Sequence, residues 1–185
     1  MSKIGLIGAE CTGKTTLLAL LKKYTDVHII EELVRDIVKE WGYDKPSDVP
    51  DIVTAQRAYL DQQIAEQQRH TSFISDRTPL DNSAYMVLYA SPFMTANQIG
   101  EFLEDAKTHT SYYDLLIYFP IIWDEVVDDG FRNTDLELRR AIDDIIKDLI
   151  KTFEAEHLIY TVKARTPEDR IAEVHNVLRH KNIFI

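Results

Sequence analysis

Eight residues near the beginning of the chain, Gly8 to Thr15, read GAECTGKT and constrain the fold more than any other stretch. They match G-x-x-x-x-G-K-[ST], the pattern of a loop that wraps phosphate groups. The chemistry needs these residue types at this spacing. Glycines at 8 and 13 let successive backbone N–H groups turn inward around phosphate oxygens, and the N-terminus of the following helix adds its own unpaired N–H groups. Lys14 is placed to reach the β- and γ-phosphates, and the Thr15 hydroxyl to hold Mg²⁺. The flanks fit as well. Apolar Ile4, Leu6 and Ile7 precede the loop, and Leu17, Leu20, Leu21 and Tyr24 follow it with helical spacing. Gly8, Glu10, Cys11, Thr12, Gly13, Lys14, Thr15 and Thr16 are the expected nucleotide contacts. Cys11 reads as a small neutral filler, although a thiol at a helix N-terminus is also open to oxidation that would block the site.

The remaining sequence supplies the scaffold that such a loop requires. After Ile4–Ile7 come four more apolar, β-branched runs: Val27–Ile30, Phe73–Ser75, Leu115–Phe119 and Leu158–Val162. Their apolar residues are nearly continuous, which predicts strands buried on both faces. Helical patterns lie between them. Leu33, Val34, Ile37, Val38 and Trp41 form one face, and the glutamine-rich stretch from Gln56 to Gln68 reads as a long helix. Thr134-x-x-Glu137 reads as a capping box opening a helix with Leu138, Ile142, Ile145, Ile146 and Leu149 on its apolar side. Thr166, Pro167 and Asp169 open the last helix in the same manner. The alternation predicts an α/β, three-layer P-loop fold: a five-stranded parallel sheet covered by helices on both faces, with its crevice at the carboxyl ends of the strands. With 185 residues, no internal repeat and no linker, a single domain over 1–185 is expected, with a lid segment around 121–140.

Charge and cysteine content narrow the setting. The formal net charge of −10, with no basic stripe, disfavours nucleic acid as a partner and favours a small nucleoside or nucleotide. One cysteine excludes an internal disulfide and points to a reducing cytoplasm. No apolar stretch reaches membrane-span length, and a strand beginning almost at Met1 leaves no room for a removed leader. The oligomeric state stays open, a homodimer being one option.

Candidate chemistry falls at the carboxyl ends of the expected strands. The run SFISD ends in Asp76, whose carboxylate would hold Mg²⁺ with Thr15. Arg77 beside it would reach substrate phosphate or ribose. Asp81 is either a further polar substrate contact or a turn and helix-cap residue. The second run leads into EELVR. Glu32 would accept or orient the proton of an acceptor hydroxyl, and Arg35, three residues on, would share its helix face. Glu31 and Glu32 also read as an acidic first helical turn paired with Arg35. In DDGFR, Arg132 would swing over the phosphates from a closing loop and offset charge on the moving phosphoryl group. Arg139 and Arg140 are secondary candidates, one of them facing solvent, and Gln56 is a weaker one. The six histidines show no metal-ligand spacing.

GAECTGKT, EELVR, Gln56, SDRTPLDN and DDGFR together resemble the small AAA-type P-loop kinase-like domains, a ribosylnicotinamide-kinase-like group within the nucleoside and nucleotide kinases. The likeness runs over about residues 3 to 165. It implies a nucleoside-kinase-like fold, ATP with Mg²⁺, and phosphorylation of a nucleoside-type hydroxyl; Glu32 and Arg35 match its E-x-x-R element and Arg132 its lid arginine. One departure matters. Ribosylnicotinamide kinases typically follow the strand-three aspartate with threonine, whereas here Arg77 intervenes, which is similar to the thymidylate and deoxynucleoside kinases. The acceptor therefore stays open. Two other readings compete: an ATPase switch whose phosphate goes to water, and a kinase acting on polynucleotide ends or on bases in DNA. The sequence lacks the [NT]-K-x-D element of a guanine reader.

Overall fold

The first apolar run forms the middle of the sheet. β1 (Lys3–Ile7) pairs in parallel with β3 (Phe73–Asp76) on one side and β4 (Leu115–Tyr118) on the other, while β2 (His28–Ile30) and β5 (Ile159–Thr161) form the edges. The strand order is β2-β3-β1-β4-β5. These relations come from a computed structural model, which describes residues 2–23, 25–123 and 134–180. The expected five-stranded parallel sheet is thus present, with strand ends shifted by a residue or so from the sequence reading.

Alternate side chains of each strand enter opposite layers, as a pleated sheet requires. Ile4, Leu6, Ile74, Leu115 and Ile117 point to one face, where α1 (Lys14–Leu21) and α7 (Pro167–His180) cover them with Leu17, Leu18, Leu21, Val174 and Leu178. Ile7, Ile30, Phe73, Leu116 and Tyr118 point to the other. There they meet α3 (Ile52–Arg69), α4 (Pro79–Tyr85), α5 (Ala96–Thr110) and α6 (Leu136–Thr152). α2 (Val34–Glu40) lies outside this layer and packs Ile37 and Val38 against Ala55 and Tyr59 of α3. Trp41, expected on the apolar face of α2, is 39% exposed and lies flat beside the Tyr59 ring.

Two helix starts differ in how they form. The Thr134 capping box is not the one used: Asp135 caps α6, its Oδ1 accepting from the backbone N–H groups of Glu137 (2.8 Å) and Leu138 (3.0 Å). A carboxylate at this position is the stronger acceptor and also favours the positive end of the helix dipole. The last helix opens as expected, with Thr166 Oγ1 accepting from the Asp169 N–H and Pro167 at the first position. The proposed lid around 121–140 falls largely on residues 124–133, which lie outside the described residues; α6 occupies its end.

Gly5 sets a packing limit in β1. A β-carbon there would approach Thr78 Cγ2 to 2.4 Å, Leu116 Cδ2 to 2.7 Å and Tyr113 Cε1 to 2.9 Å. The second layer is therefore built against a bare backbone. Gly5→Ala is expected to overpack this contact and cost about 1–3 kcal/mol. Urea unfolding should show a lower midpoint at unchanged slope; an unchanged midpoint would show that Tyr113 and Thr78 yield freely.

Candidate active site at the phosphate loop

The phosphate loop turns between β1 and α1 through backbone states that its sequence permits. Gly8 (φ 142°) and Gly13 (φ 93°) take positive angles, and Cys11 joins them at 57°. Gly8 is also fixed by proximity, because a β-carbon there would stand 2.5 Å from the Phe119 carbonyl oxygen. Gly13 forms the N-cap of α1 in the left-handed conformation with no side-chain cap, leaving the first N–H groups of the helix for an anion.

Lys14 is almost wholly buried at the first position of α1. Its ammonium donates to the carbonyls of Gly8 (2.8 Å) and Ala9 (2.6 Å) and to Thr12 Oγ1 (3.2 Å). Burial, assisted by the Arg77 charge, lowers its pKa from 10.5 to about 8. A cation held at such a cost in the mouth of a phosphate loop gains most from an arriving anion. Beside it, Thr15 Oγ1 donates to Asp76 Oδ2 at 2.9 Å, joining the start of α1 to the end of β3. This hydroxyl–carboxylate pair is a hard-oxygen set suited to Mg²⁺. Register explains the meeting, since Asp76 lies opposite Leu6 at the carboxyl end of the sheet.

Arg77 follows at φ 86°, a conformation costly for a residue with a side chain. The turn drives its guanidinium inward rather than toward solvent. Nη1 donates to the Gly8 carbonyl (3.1 Å) and Tyr85 Oη (3.0 Å), and Nε donates to Glu32 Oε1 (3.2 Å). Burial alone would lower its pKa; Tyr85, Glu32 and Asp81 more than offset this, and the group stays charged. Glu32 is thereby held at the tip of β2, with Arg35 Nε at 3.5 Å from its other oxygen. The expected Glu32–Arg35 pair exists, but Glu32 precedes α2 instead of lying on it. Glu31 points elsewhere and is ion-paired with Lys22 at the surface.

These groups share one cavity of about 320 Å³, lined by residues 11–17 of the loop and α1 together with Glu32, Asp76, Arg77, Trp123 and Arg170. Cys11, Thr12, Gly13, Lys14, Thr15 and Thr16 thus all border it, as do three of the strand-tip candidates. Gly8, Glu10, Arg35 and Asp81 do not. Asp81, one of the expected substrate contacts, is fully buried and committed to the scaffold: its carboxylate accepts from the Gly8 N–H (3.0 Å) and the Thr78 hydroxyl (2.9 Å). Burial raises its pKa. Gln56 is likewise buried away from the cavity. Arg132 lies outside the described residues. Of the paired arginines, Arg140 is exposed and Arg139 is fully buried, donating to the carbonyls of Glu10 (3.2 Å) and Trp123 (3.2 Å).

Sequence reasoning missed Arg170 and Trp123. Arg170, on α7, donates from Nη1 to the Thr12 carbonyl and from Nε to the Ala164 carbonyl (2.9 Å), and its guanidinium lies 4.6 Å from the Trp123 ring centre. Its Nη2 is buried without a hydrogen-bond partner among the described residues. Nothing local marks it, because only the packing of α7 on α1 brings it to the loop.

The architecture and site define a P-loop fold of the nucleoside- and nucleotide-kinase kind. A family model described as an AAA domain matches residues 3–170, and the chain belongs to that family. No curated protein matches it by sequence. Similar solved structures include the NadR protein in complex with NR, at 20% identity and TM-score 0.70, covering 95% of this chain and 51% of that one. This chain thus spans about half the length of that NadR chain. Deoxyadenosine kinase from M. mycoides is 17% identical with TM-score 0.71 over 96% of this chain and 98% of that one. Thymidylate kinase from Candida albicans is 14% identical with TM-score 0.73 over 100% and 94%.

The depressed Lys14 pKa makes a prediction with a definite sign. The anion-binding form is the ammonium, which the ligand-free protein loses as pH rises through about 8. Affinity for a triphosphate should therefore be flat below that pH and weaken above it, by up to roughly tenfold per unit. Titration of a fluorescent ATP analogue across this range should show the break, and Lys14→Arg should remove it.

Proposed function

We propose that this protein is an ATP- and Mg²⁺-dependent phosphotransferase that moves the γ-phosphoryl group to a hydroxyl or phosphate of a nucleoside or nucleoside monophosphate. One observation carries the reading: Glu32, from the tip of β2, borders the same cavity as Lys14, Thr15 and Asp76. A phosphate loop alone serves hydrolysis equally well. A carboxylate opposite the loop gives an acceptor hydroxyl a place to be oriented for in-line attack.

In this reading the loop amides and Lys14 hold the β- and γ-phosphates. Thr15 and Asp76, already in contact at 2.9 Å, would hold Mg²⁺, which supplies charge neutralisation of the phosphate oxygens. Glu32 receives the acceptor's hydroxyl proton or fixes its direction, its own direction preset by Arg77 and Arg35. Arg77 also faces the cavity and would contact the acceptor, as would Arg35 after a change of rotamer. Arg132 is proposed as the lid arginine. The single-domain organisation, the cytoplasmic setting and a small-molecule rather than a nucleic-acid partner belong to the same proposal; no described helix is long and apolar enough to cross a membrane.

The neighbours' names guide the choice of acceptors: a deoxyadenosine kinase, a thymidylate kinase and a protein bound to NR. Deoxynucleosides, thymidylate and NR should be assayed beside oligonucleotides, with ATP consumption and phosphorylated product followed together. The expected result is stoichiometric product on one nucleoside-class acceptor. Phosphate release without any phosphorylated acceptor would replace the kinase by an ATPase switch, and labelled oligonucleotide ends would replace it by a polynucleotide kinase.

Two substitutions separate the roles. Lys14→Ala should reduce transfer by roughly 10²-fold or more while leaving the circular dichroism spectrum unchanged. Glu32→Gln should lower kcat by roughly 10²-fold with ATP affinity nearly constant, as expected for a group acting on the acceptor alone. Unchanged turnover in Glu32→Gln would remove that residue from the mechanism.

A further inference from the structure

The amino ends of the strands, opposite to the crevice, carry a separate cluster of ligand-bearing side chains. His28 is the first residue of β2, Glu66 lies in the last turn of α3, and His70 caps that helix. The chain brings them together only after α3 has run back along the sheet to begin β3, where His28 is in register with Phe73. Both imidazole Nε2 atoms approach the same carboxylate oxygen, Glu66 Oε1, at 3.7 Å from His28 and 3.3 Å from His70. All three ligand atoms lie within 4.8 Å of one another. The two rings are stacked, with centres 3.5 Å apart and planes inclined by 14°.

Several features of this arrangement favour a cation over a simple ion pair. The carboxylate is shared by both rings instead of pairing with one. Its second oxygen is held by Arg69 Nη1 at 2.6 Å, an outer contact that fixes the direction of Oε1 as supporting groups do around metal ligands. Bonds of about 2.0–2.2 Å to zinc put neighbouring ligands roughly 3.4 Å apart, so the observed spread closes by rotation of the two histidine rings, both partly exposed.

We propose that His28, Glu66 and His70 form a binding site for a divalent transition-metal ion of the zinc class, tying the edge strand β2 to the carboxyl end of α3. Two imidazoles with one carboxylate select such an ion over Mg²⁺, which takes oxygen ligands, and leave a position open for water. β2 has three residues and, among the described residues, is paired on one side only, so a cross-link there adds stiffness at the edge of the sheet. The site is independent of the phosphotransferase reading.

The test uses untagged, chelator-stripped protein in excess Mg²⁺, which occupies oxygen-rich sites, titrated with Co²⁺ as a spectroscopic probe. One equivalent should bind with the absorption bands of a nitrogen-ligated ion, and Zn²⁺ should displace it. His28→Gln and His70→Gln should each weaken binding at least roughly tenfold, whereas His175→Gln, on the exposed side of α7, should not. Zn²⁺ should raise the thermal midpoint of the wild type and not of the two variants. Should a variant fail to fold, Co²⁺ broadening of the His28 and His70 imidazole resonances in the wild-type protein decides the matter. Absence of saturable binding at millimolar Co²⁺, full binding in the doubly substituted protein, or broadening of other histidines instead would overturn the proposal.

Discussion

The buried guanidinium of Arg77 is the contact on which the site's geometry depends. It reaches the phosphate loop through the Gly8 carbonyl, the tip of β2 through Glu32 and α4 through Tyr85, while its own backbone ends β3. Four elements are thus referenced to one charged group whose planar fork fixes their relative directions. The positive φ at this residue makes that reach available, since a helical or extended turn would send the side chain outward. Removing one partner of such a cluster leaves a charge buried without compensation, which costs about 3–5 kcal/mol in comparable cases. Strain at Arg77 is therefore maintained by the contacts it enables.

Asp81 completes the cluster from below. It accepts from the Gly8 N–H and stands 3.8 Å from Arg77, so the first residue of the loop is held through both of its backbone polar groups. This is why a candidate for substrate contact turned out to be structural. The loop needs an anchor as much as a ligand, and a fully enclosed carboxylate five residues on from Asp76 provides it. Gln63 works alongside by donating to Ser75 Oγ (2.8 Å), which uses a polar position on the inner face of β3.

What could be read from the sequence follows from where the information lies. β1, β3 and β4 are buried on both faces, and continuous apolar runs announced them. The phosphate loop was legible because its chemistry is confined to eight consecutive residues. The position of Asp76 was legible as the carboxylate that ends an apolar strand in the right order. The Glu32–Arg35 pair was foreseen, but the place of Glu32 before α2 was not, because pattern cannot fix a helix start to one residue. Asp135 displaced Thr134 for the same reason. Arg170 left no local trace, being joined to the loop by the packing of α7 on α1, and Trp123, in the segment after β4, reaches the cavity beside it. The histidines show the limit most plainly: His28 and His70 have no metal-ligand spacing along the chain, yet their rings stack because β2 and the end of α3 share an edge.

Net charge is the property that sequence states best and that the site obeys least. The chain carries −10, which on its own argues against gripping a polyanion. The cavity, however, is bordered by Lys14, Arg77 and Arg170 against Glu32 and Asp76, so its local balance is positive. Burial makes this local balance decisive, since charges inside are screened far less than those on the surface. In the proposed reading, Mg²⁺ held at Asp76 would offset one of these carboxylates, while Glu32 is already paired with Arg77 and Arg35. In the proposed reading, these enclosed cations would draw in a single phosphate chain although the chain as a whole is acidic.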